Sequence, residues 1–532
     1  MKTNFLFLSA ENDAIPNCKA GGMGDVVRDV PRQIAANGDH VSVLTPAYNR
    51  LHKIGQLVTN LIFNFRGVNY EAFLYEVPPK KYFNNIKHYV IHHPEIKSGN
   101  IADIYFNDAD QPFYTDACMF SLFCTAAAQA IQQEAFGEKI DIVHLHDWHV
   151  SLMLFLKKYH ADFYKLKESK FIYTIHNLAI QGIRPFDGNY SSLKAFYPQM
   201  EWFDYDKLKD YRYQDCINMM AIGIRLADVV HTVSPSYKED IQQPSNWPHF
   251  IGGEGLEHDL TVANNEGRLY GILNGANYNN IRIAETGFLY DNAINAIFNW
   301  LEDIEKSYKH SFLLHTGEKI MQIKKSNPKF ICTSVARLTE QKFYFFKYAP
   351  ELLIDILEKL QETNGVYILL GTGDPSYEEL FKEISYKFEN FIFLNGQSED
   401  VIDSIYQEGN LYLMPSLFEP CGISQMLAMR NAQPCLVHHT GGLIDTVKNY
   451  VTGFSFKGDT IDEQIEDFYK VFCDAVDLYF EDQKIYSAIS EEAKKQKFSW
   501  ENSVKEYYKF LYKVLPENDF ENSKNKKEAS NQ

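Results

Sequence analysis

None of the eight cysteines forms a CxxC pair. That spacing argues against structural zinc and a disulfide framework, and points to reduced thiols in a cytoplasmic protein. No apolar run reaches the length of a membrane span, and the opening Phe5-Leu-Phe-Leu8 is too short for a signal peptide before Glu11 follows. Positive charge is scarce: 52 Lys and Arg face 70 Asp and Glu, a net charge of −18. That balance argues against general nucleic-acid or membrane-surface binding, and an anionic substrate needs a local cluster of cations and amides. No internal repeat and no HExxH pair occur, and the glycine-rich loop near the N-terminus is neither a GxGxxG nor a Walker A sequence.

What is present is a chain of 532 residues, 45% hydrophobic, long enough for two large domains or three small ones with full cores. Residues 4–9 read as a buried strand, the loop 11–25 follows, then a helix over 26–37 and a strand over 40–45. This β-loop-α-β start opens a doubly wound sheet. A hairpin-like excursion covers 57–93, and a helix is predicted over 116–134. The stretches 141–149 and 170–177 then read as strands, and they place His146, Asp147, His149 and His176, Asn177 just beyond their apolar runs. A further helix is expected over 215–226, with strands over 229–234 and 269–275. Residues 276–327 read as a crossover that turns helical. From 329 a second strand-helix alternation begins, with strands ending before Arg337, Gly371, Pro415 and Thr440. An amphipathic helix closes the pattern over 498–515, and residues 516–532 are polar and predicted to be disordered.

The stretch Pro415-Ser-Leu-Phe-Glu-Pro-Cys-Gly-Ile-Ser-Gln425 places Glu419 between a strand end and a helix expected over 423–430. Open α/β sheets bind ligands at such corners, where an acid beside an anion-binding helix start suits a ligand with hydroxyls and a phosphate. Arg337 and Lys342 after a strand suit a diphosphate. Gly371 and Gly373 leave room for close backbone approach, Thr440-Gly441-Gly442 offers another helix start, and amides at Gly21 and Gly22 could cradle a phosphate. An ordinary tight turn explains each of these singly; their recurrence at successive strand ends does not follow from turns alone. The histidines at 146, 149 and 176 lack the helical pairing of a zinc site, and no metal is expected.

Taken in order, the motifs resemble the bacterial glycogen synthase and plant starch synthase family. They are Lys19-Ala-Gly-Gly-Met-Gly-Asp-Val-Val27, His144-Leu-His-Asp-Trp-His149, Thr174-Ile-His-Asn-Leu-Ala-Ile-Gln-Gly182, Thr232-Val-Ser-Pro-Ser-Tyr237, Gly271-Ile-Leu-Asn-Gly275, Ala336-Arg-Leu-Thr-Glu-Gln-Lys342, Gly371-Thr-Gly-Asp-Pro375, the Glu419 stretch, Thr440-Gly-Gly-Leu-Ile-Asp-Thr-Val447 and Phe498-Ser-Trp-Glu-Asn502. The resemblance implies an α/β GT-B fold, two Rossmann-like doubly wound domains with the active site in the cleft between them. Residues 1–275 would form the acceptor-side domain, 276–497 the nucleotide-sugar domain, and 498–515 a helix crossing back.

It further implies glucosyl transfer from ADP-glucose, or UDP-glucose, to the non-reducing end of an α-1,4-glucan with retention and without a metal cofactor. By resemblance, His176, Arg337, Lys342 and Glu419 carry the chemistry. Lys19, Gly21, Gly22, Asp25, Asp147, Asn177, Asn274, Gly371, Gly373, Cys421, Gly422, Ser424, Thr440, Gly441 and Gly442 bind substrate. Against the family pattern, Ala117 and Phe120 replace an Asn and an Arg, Asn277 replaces an Asp, Phe343 a Gly and Ile180 a Tyr. Gln397 stands near a frequent aromatic, and Leu427 occupies the position of the wider fold's second acid. These departures leave open a non-catalytic glucan-binding relative, or a GT-B transferase acting on another acceptor.

Overall fold

The computed structural model describes residues 2–278, 287–303 and 308–514. The expected tail over 516–532, and the last residue of the closing helix, lie outside the described residues. The chain divides into two compact units. One comprises Met1–Ser245, Gly252–Asn274 and the chain from Trp500; the other comprises Asn246–Ile251 and Gly275–Ser499.

The first unit is built on a nine-stranded sheet. Its strands are β1 (Asn4–Leu8), β2 (His40–Pro46), β3 (Gln56–Phe65), β4 (Val68–Val77), β5 (Ile86–His92), β6 (Ile142–His146), β7 (Lys170–Ile175), β10 (Val229–Thr232) and β11 (Leu269–Gly271). A separate two-stranded ribbon pairs β8 (Ile183–Pro185) with β9 (Cys216–Asn218). The large sheet runs β11-β10-β7-β6-β1-β2-β5-β4-β3. Its central strands are parallel and buried on both faces, which is why they read as unbroken apolar runs. Only the β3–β4 and β4–β5 pairs are antiparallel, and there the exposed and buried residues of β3 alternate.

The second unit holds a six-stranded, all-parallel sheet ordered β14-β13-β12-β15-β16-β17. These strands are β12 (Phe330–Val335), β13 (Gly365–Leu370), β14 (Phe391–Leu394), β15 (Leu411–Met414), β16 (Cys435–His438) and β17 (Phe454–Phe456). Alternate residues feed two cores. Cys332, Tyr367, Leu369, Phe391 and Leu413 join one with the helices carrying Phe346, Phe381 and Phe468. Val366, Ile368, Leu370, Tyr412 and Met414 join the other with Leu289, Ile297 and Ile320.

Both sheets have a place where the chain starts winding the opposite way, β1 against β6 in the first and β12 against β15 in the second. Ligand sites form outside the carboxyl ends of strands at such switch points.

Several boundaries differ from expectation. The first helix spans Gly22–Ala36 and so begins four residues early, with Gly21 as its extended N-cap. The helix expected from 215 starts at Met219, because Cys216–Asn218 pairs with Ile183–Pro185. The helix after Gly422 covers only Ser424–Arg430. The strand expected over 269–275 ends at Gly271. Residues 246–251 lie within the stretch expected to form the first domain, 1–275, but belong to the second unit. There Ile251 is buried in its core, and the His249 ring accepts from the Ile461 amide at 3.1 Å.

Candidate active site

In the second unit, the segments following β12 and β15 meet at the switch point. The Leu417 amide donates to the Gln341 carbonyl at 2.8 Å, and Gln341 Nε2 donates to the Phe418 carbonyl at 3.1 Å. These bonds bring Lys342 Nζ onto Glu419 Oε2 as an ion pair, and Ser416 Oγ donates to the same oxygen at 3.1 Å. Glu419 is buried, so its charge is held by fixed partners rather than by water. The His438 ring, its pKa lowered to about 4 mainly by burial and so neutral at pH 7, bonds the Ser416 and Leu417 carbonyls through Nδ1.

Glycines let the neighbouring turns close on this corner. Gly441 has φ +46°, and a Cβ there would stand 2.0 Å from the Glu419 carbonyl oxygen; one on Gly442 would stand 2.5 Å from Cys421 Cα. The Gly442 amide donates to that Glu419 carbonyl at 3.0 Å. Gly422, at φ +75°, turns the chain into the helix on which Ser424 is the first residue. Thr440 is the N-cap of Gly441–Thr446 and makes no side-chain cap bond.

Gly371 and Gly373 face the backbone of the next loop: their Cβ atoms would meet the Ala336 and Leu338 carbonyl oxygens at 2.1 and 2.3 Å. Close packing of two strand-end loops thus already requires these glycines, where the sequence suggested room for a ligand. Arg337 is exposed and in no ion pair among the described residues. Where Gln397 leaves the strand-end turn without its own aromatic, Trp300 supplies one. Its Nε1 donates to the Gln397 carbonyl at 3.1 Å, and its ring lies where a Gly396 Cβ would be.

In the first unit, the loop after β1 carries a charged network. Lys19 Nζ pairs with Asp25 Oδ1 at 2.7 Å and Asp13 Oδ2 at 3.7 Å. Arg28 also pairs with both acids, and Lys80 reaches Asp13 at 2.7 Å. Burial pushes Asp13 up, but Lys19, Lys80 and Arg28 outweigh it and hold its carboxyl below the usual range. Glu11 Oε2 accepts from the amides of Ala20 and Gly21 at 2.8 and 2.6 Å, while Tyr105 donates to Oε1 at 2.7 Å. The Gly21 amide is therefore already committed to a carboxylate and is not open to a phosphate, contrary to expectation. Gly22, the first residue of its helix, has no heavy atom within 4 Å of a built Cβ.

Across the switch point, Asp147 follows β6 at φ +57°, ψ −178°, a conformation costing a non-glycine residue about 1–3 kcal/mol. Its Oδ1 accepts from the His176 amide at 2.7 Å, and the Asn177 amide also bonds it. Burial outweighs both bonds and raises the carboxyl to about 7. Asn177 Oδ1 accepts from the Ala179 amide at 3.0 Å.

His146 and His176 meet through Nδ1 and Nε2 at 2.9 Å, and His146 Nε2 is buried without a partner among the described residues. A bare lone pair is the cheaper group to bury than an N–H with no acceptor. This assigns the His146 proton to Nδ1, donating to His176 Nε2, and leaves His176 its own proton on Nδ1. Burial keeps both rings neutral, with His176 held near 3. Asn274 is likewise buried with its Oδ1 unpartnered among the described residues.

The histidine rings stack in a row rather than converging on one point: His144, His146 and His176 lie 4.6 and 5.2 Å apart by ring centre, at interplanar angles of 18° and 25°. Among the described residues, no group of three His, Cys, Asp or Glu side chains could hold a metal ion. Trp148 packs on Phe113, Phe120 and the face of Gly182, so Phe120 fills space beside it.

The profile of the starch synthase catalytic domain matches residues 4–262, and that of group 1 glycosyl transferases matches residues 317–496. A glycogen synthase of Streptococcus sanguinis (strain SK36) is 30% identical over 537 residues, spanning 96% of this chain and 99% of that protein. The chain belongs to the glycogen and starch synthase family. A glycogen synthase of Thermosipho africanus (strain TCF52B) is 29% identical over 94% of this chain and 98% of its own length. The fold matches the catalytic domain of starch synthase IV from Arabidopsis thaliana, solved with ADP and acarbose, at a TM-score of 0.72 and 22% identity, covering 96% and 99% of the two chains. The fold is GT-B, and the protein is a glycosyltransferase.

Sequence reasoning named Lys19, Asp25, Asp147, His176, Lys342 and Glu419 but missed Glu11, Asp13, Arg28, Lys80, Ser416 and Trp300. Glu11 carried a usable signal, an acid directly after a buried strand. Trp300 carried none, because its helix lies nearly a hundred residues before the turn it covers.

Proposed function

We propose that the chain transfers glucose from ADP-glucose, with UDP-glucose the alternative donor, to the non-reducing end of an α-1,4-glucan with retention. The observation that carries this reading is the Lys342–Glu419 pair at the switch point of the second sheet, anchored by Ser416. When the nucleoside diphosphate departs, negative charge grows on its phosphate while the anomeric carbon gains oxocarbenium character. Fixed cations aimed at the departing charge lower that barrier most. Lys342 and the exposed Arg337 fill this role, and Glu419 orients glucose hydroxyls.

From the first unit, His176 offers its Nδ1–H to a sugar oxygen, Asn274 Oδ1 accepts from a hydroxyl, and Lys19 with Asp25 binds the acceptor end. Burial raises the Asp147 carboxyl to about 7, and a protonated carboxyl held by two amides is a poor nucleophile. That supports same-face transfer, in which the leaving phosphate deprotonates the acceptor hydroxyl. Trp300 presents a flat ring on which the nucleobase packs.

The test is incorporation of labelled glucose into glycogen from ADP-glucose and UDP-glucose side by side, followed by β-amylase digestion. Release of the label as maltose is expected. Label resistant to β-amylase, or label on a small acceptor only, would defeat the assignment.

A further inference from the structure

An open cavity of about 430 Å³ lies in the first unit, outside the residues assigned to transfer, where the loops after β2 and β5 meet. The side chains that define it are Asn49, Arg50, His52, His92, Lys97 and Ser98, and none of its lining residues is acidic. In a chain of net charge −18 that composition is unusual. Among the described residues, no ion pair takes in Arg50, Lys97 or the adjacent Lys53. Glu95, the acid closest in sequence, is turned to Tyr70 instead.

The two histidines stack face to face at 3.7 Å between ring centres. Both have Nδ1 buried without a partner among the described residues. By the argument applied to His146, each carries its proton on Nε2, the more accessible side of the ring. The cavity thus offers a guanidinium, an ammonium and two imidazole N–H groups, with no carboxylate to compete. Arg50 and Asn49 both sit at positive φ, +62° and +48°, so the chain is bent tightly where the guanidinium is presented. Ser98 fixes that bend: its Oγ accepts from the Asn49 amide and donates to Asn49 Oδ1, both at 2.8 Å.

We propose that this cavity binds the phosphate group of a phosphorylated sugar. Arg50 and Lys97 neutralise the dianion, the paired imidazoles donate to its oxygens, and Asn49, Ser98 and the flat face of the histidine pair meet the sugar. The volume falls in the range of sites for small organic ligands, roughly 300–1,000 Å³, which favours a sugar phosphate over a bare ion. A free hexose phosphate and a phosphorylated glucan end present the same chemistry. Asn49 Nδ2 also donates to the Asn17 carbonyl at 3.3 Å, which ties the cavity to the loop carrying Lys19.

The test is calorimetric titration of the full chain, its donor site filled with saturating ADP, with inorganic phosphate, glucose 6-phosphate, maltotetraose and phosphorylated maltodextrin. Saturable binding is expected for the phosphorylated sugars, tighter than for phosphate, whereas maltotetraose reports acceptor binding alone and should bind wild type and the cavity variant alike. The stronger of the two phosphorylated probes identifies the source. Arg50→Gln with Lys97→Gln should weaken binding at least tenfold, and the ligand-induced rise in thermal midpoint should vanish with it. No saturable binding by wild type, or equal affinity in the double variant, would overturn the site. Either result would leave the glucosyl-transfer reading untouched, since that is judged on label in glycogen.

Discussion

At the scale of single residues, the buried acid Asp147 has a calculable consequence. Its folded pKa of about 7 stands above an unfolded value near 4, so the folded state holds a proton that the unfolded state has lost between those limits. Its contribution to stability is therefore complete below about pH 4 and declines as pH rises towards 7. Asp116, raised to about 7 chiefly by burial, acts in the same direction. Asp147→Asn should flatten the fall in stability between pH 4 and 7 by an amount on the order of a few kcal/mol, read from denaturant midpoints at several pH values. An unchanged slope would contradict the burial argument.

The tautomer assigned to His146 is open to a similar comparison. Asn places an N–H near the position of Nδ1, so His146→Asn should keep more transfer activity than His146→Gln, with about a tenfold difference in kcat and matched melting points. Such residue-scale facts were only half legible beforehand. The sequence shows an Asp and several His at strand ends, but which nitrogen faces which neighbour depends on partners thirty residues away.

At the scale of elements, the two glycine turns separate folding from ligand approach. Gly441→Ala must displace the Glu419 backbone and adopt a left-handed conformation. It should cost more than about 1 kcal/mol in thermal unfolding as well as activity. Gly22→Ala meets nothing within 4 Å at a helix start and should fold at least as stably as wild type. If Gly22→Ala nonetheless loses transfer at least tenfold, the open space at Gly22 is used by substrate; full activity would remove Gly22 from the site. Five of the six strands of the second unit were legible, because fully buried parallel strands are uninterrupted apolar runs between polar helices; the three-residue β17 (Phe454–Phe456) was not. The ribbon of β8 and β9 was not, since three-residue strands leave no period to detect and the helical run after Asn218 masks their end.

For the whole molecule, the order of strands decides which residues meet, and that order cannot be read along the chain. The motifs after β12 and β15 lie 77 residues apart in sequence yet share one ion pair, because the winding reverses between those two strands. The same reversal beside β1 collects the loop 11–25 and Asp147 in the first unit. A scattered set of motifs thus becomes two compact groups of charges and hydrogen-bonding side chains, one in each unit.

The central claim is that the pair Lys342 and Glu419 acts on the glucosyl donor. It is tested most directly by initial rates of transfer from ADP-glucose to glycogen in wild type, Lys342→Gln and Glu419→Gln, each checked for an intact melting transition. Both variants should fall by about a hundredfold or more in kcat, equivalent to roughly 2.7 kcal/mol of lost transition-state stabilisation. Folded variants working within twofold of wild type, or a wild type that binds glycogen but turns over no nucleotide sugar, would contradict it.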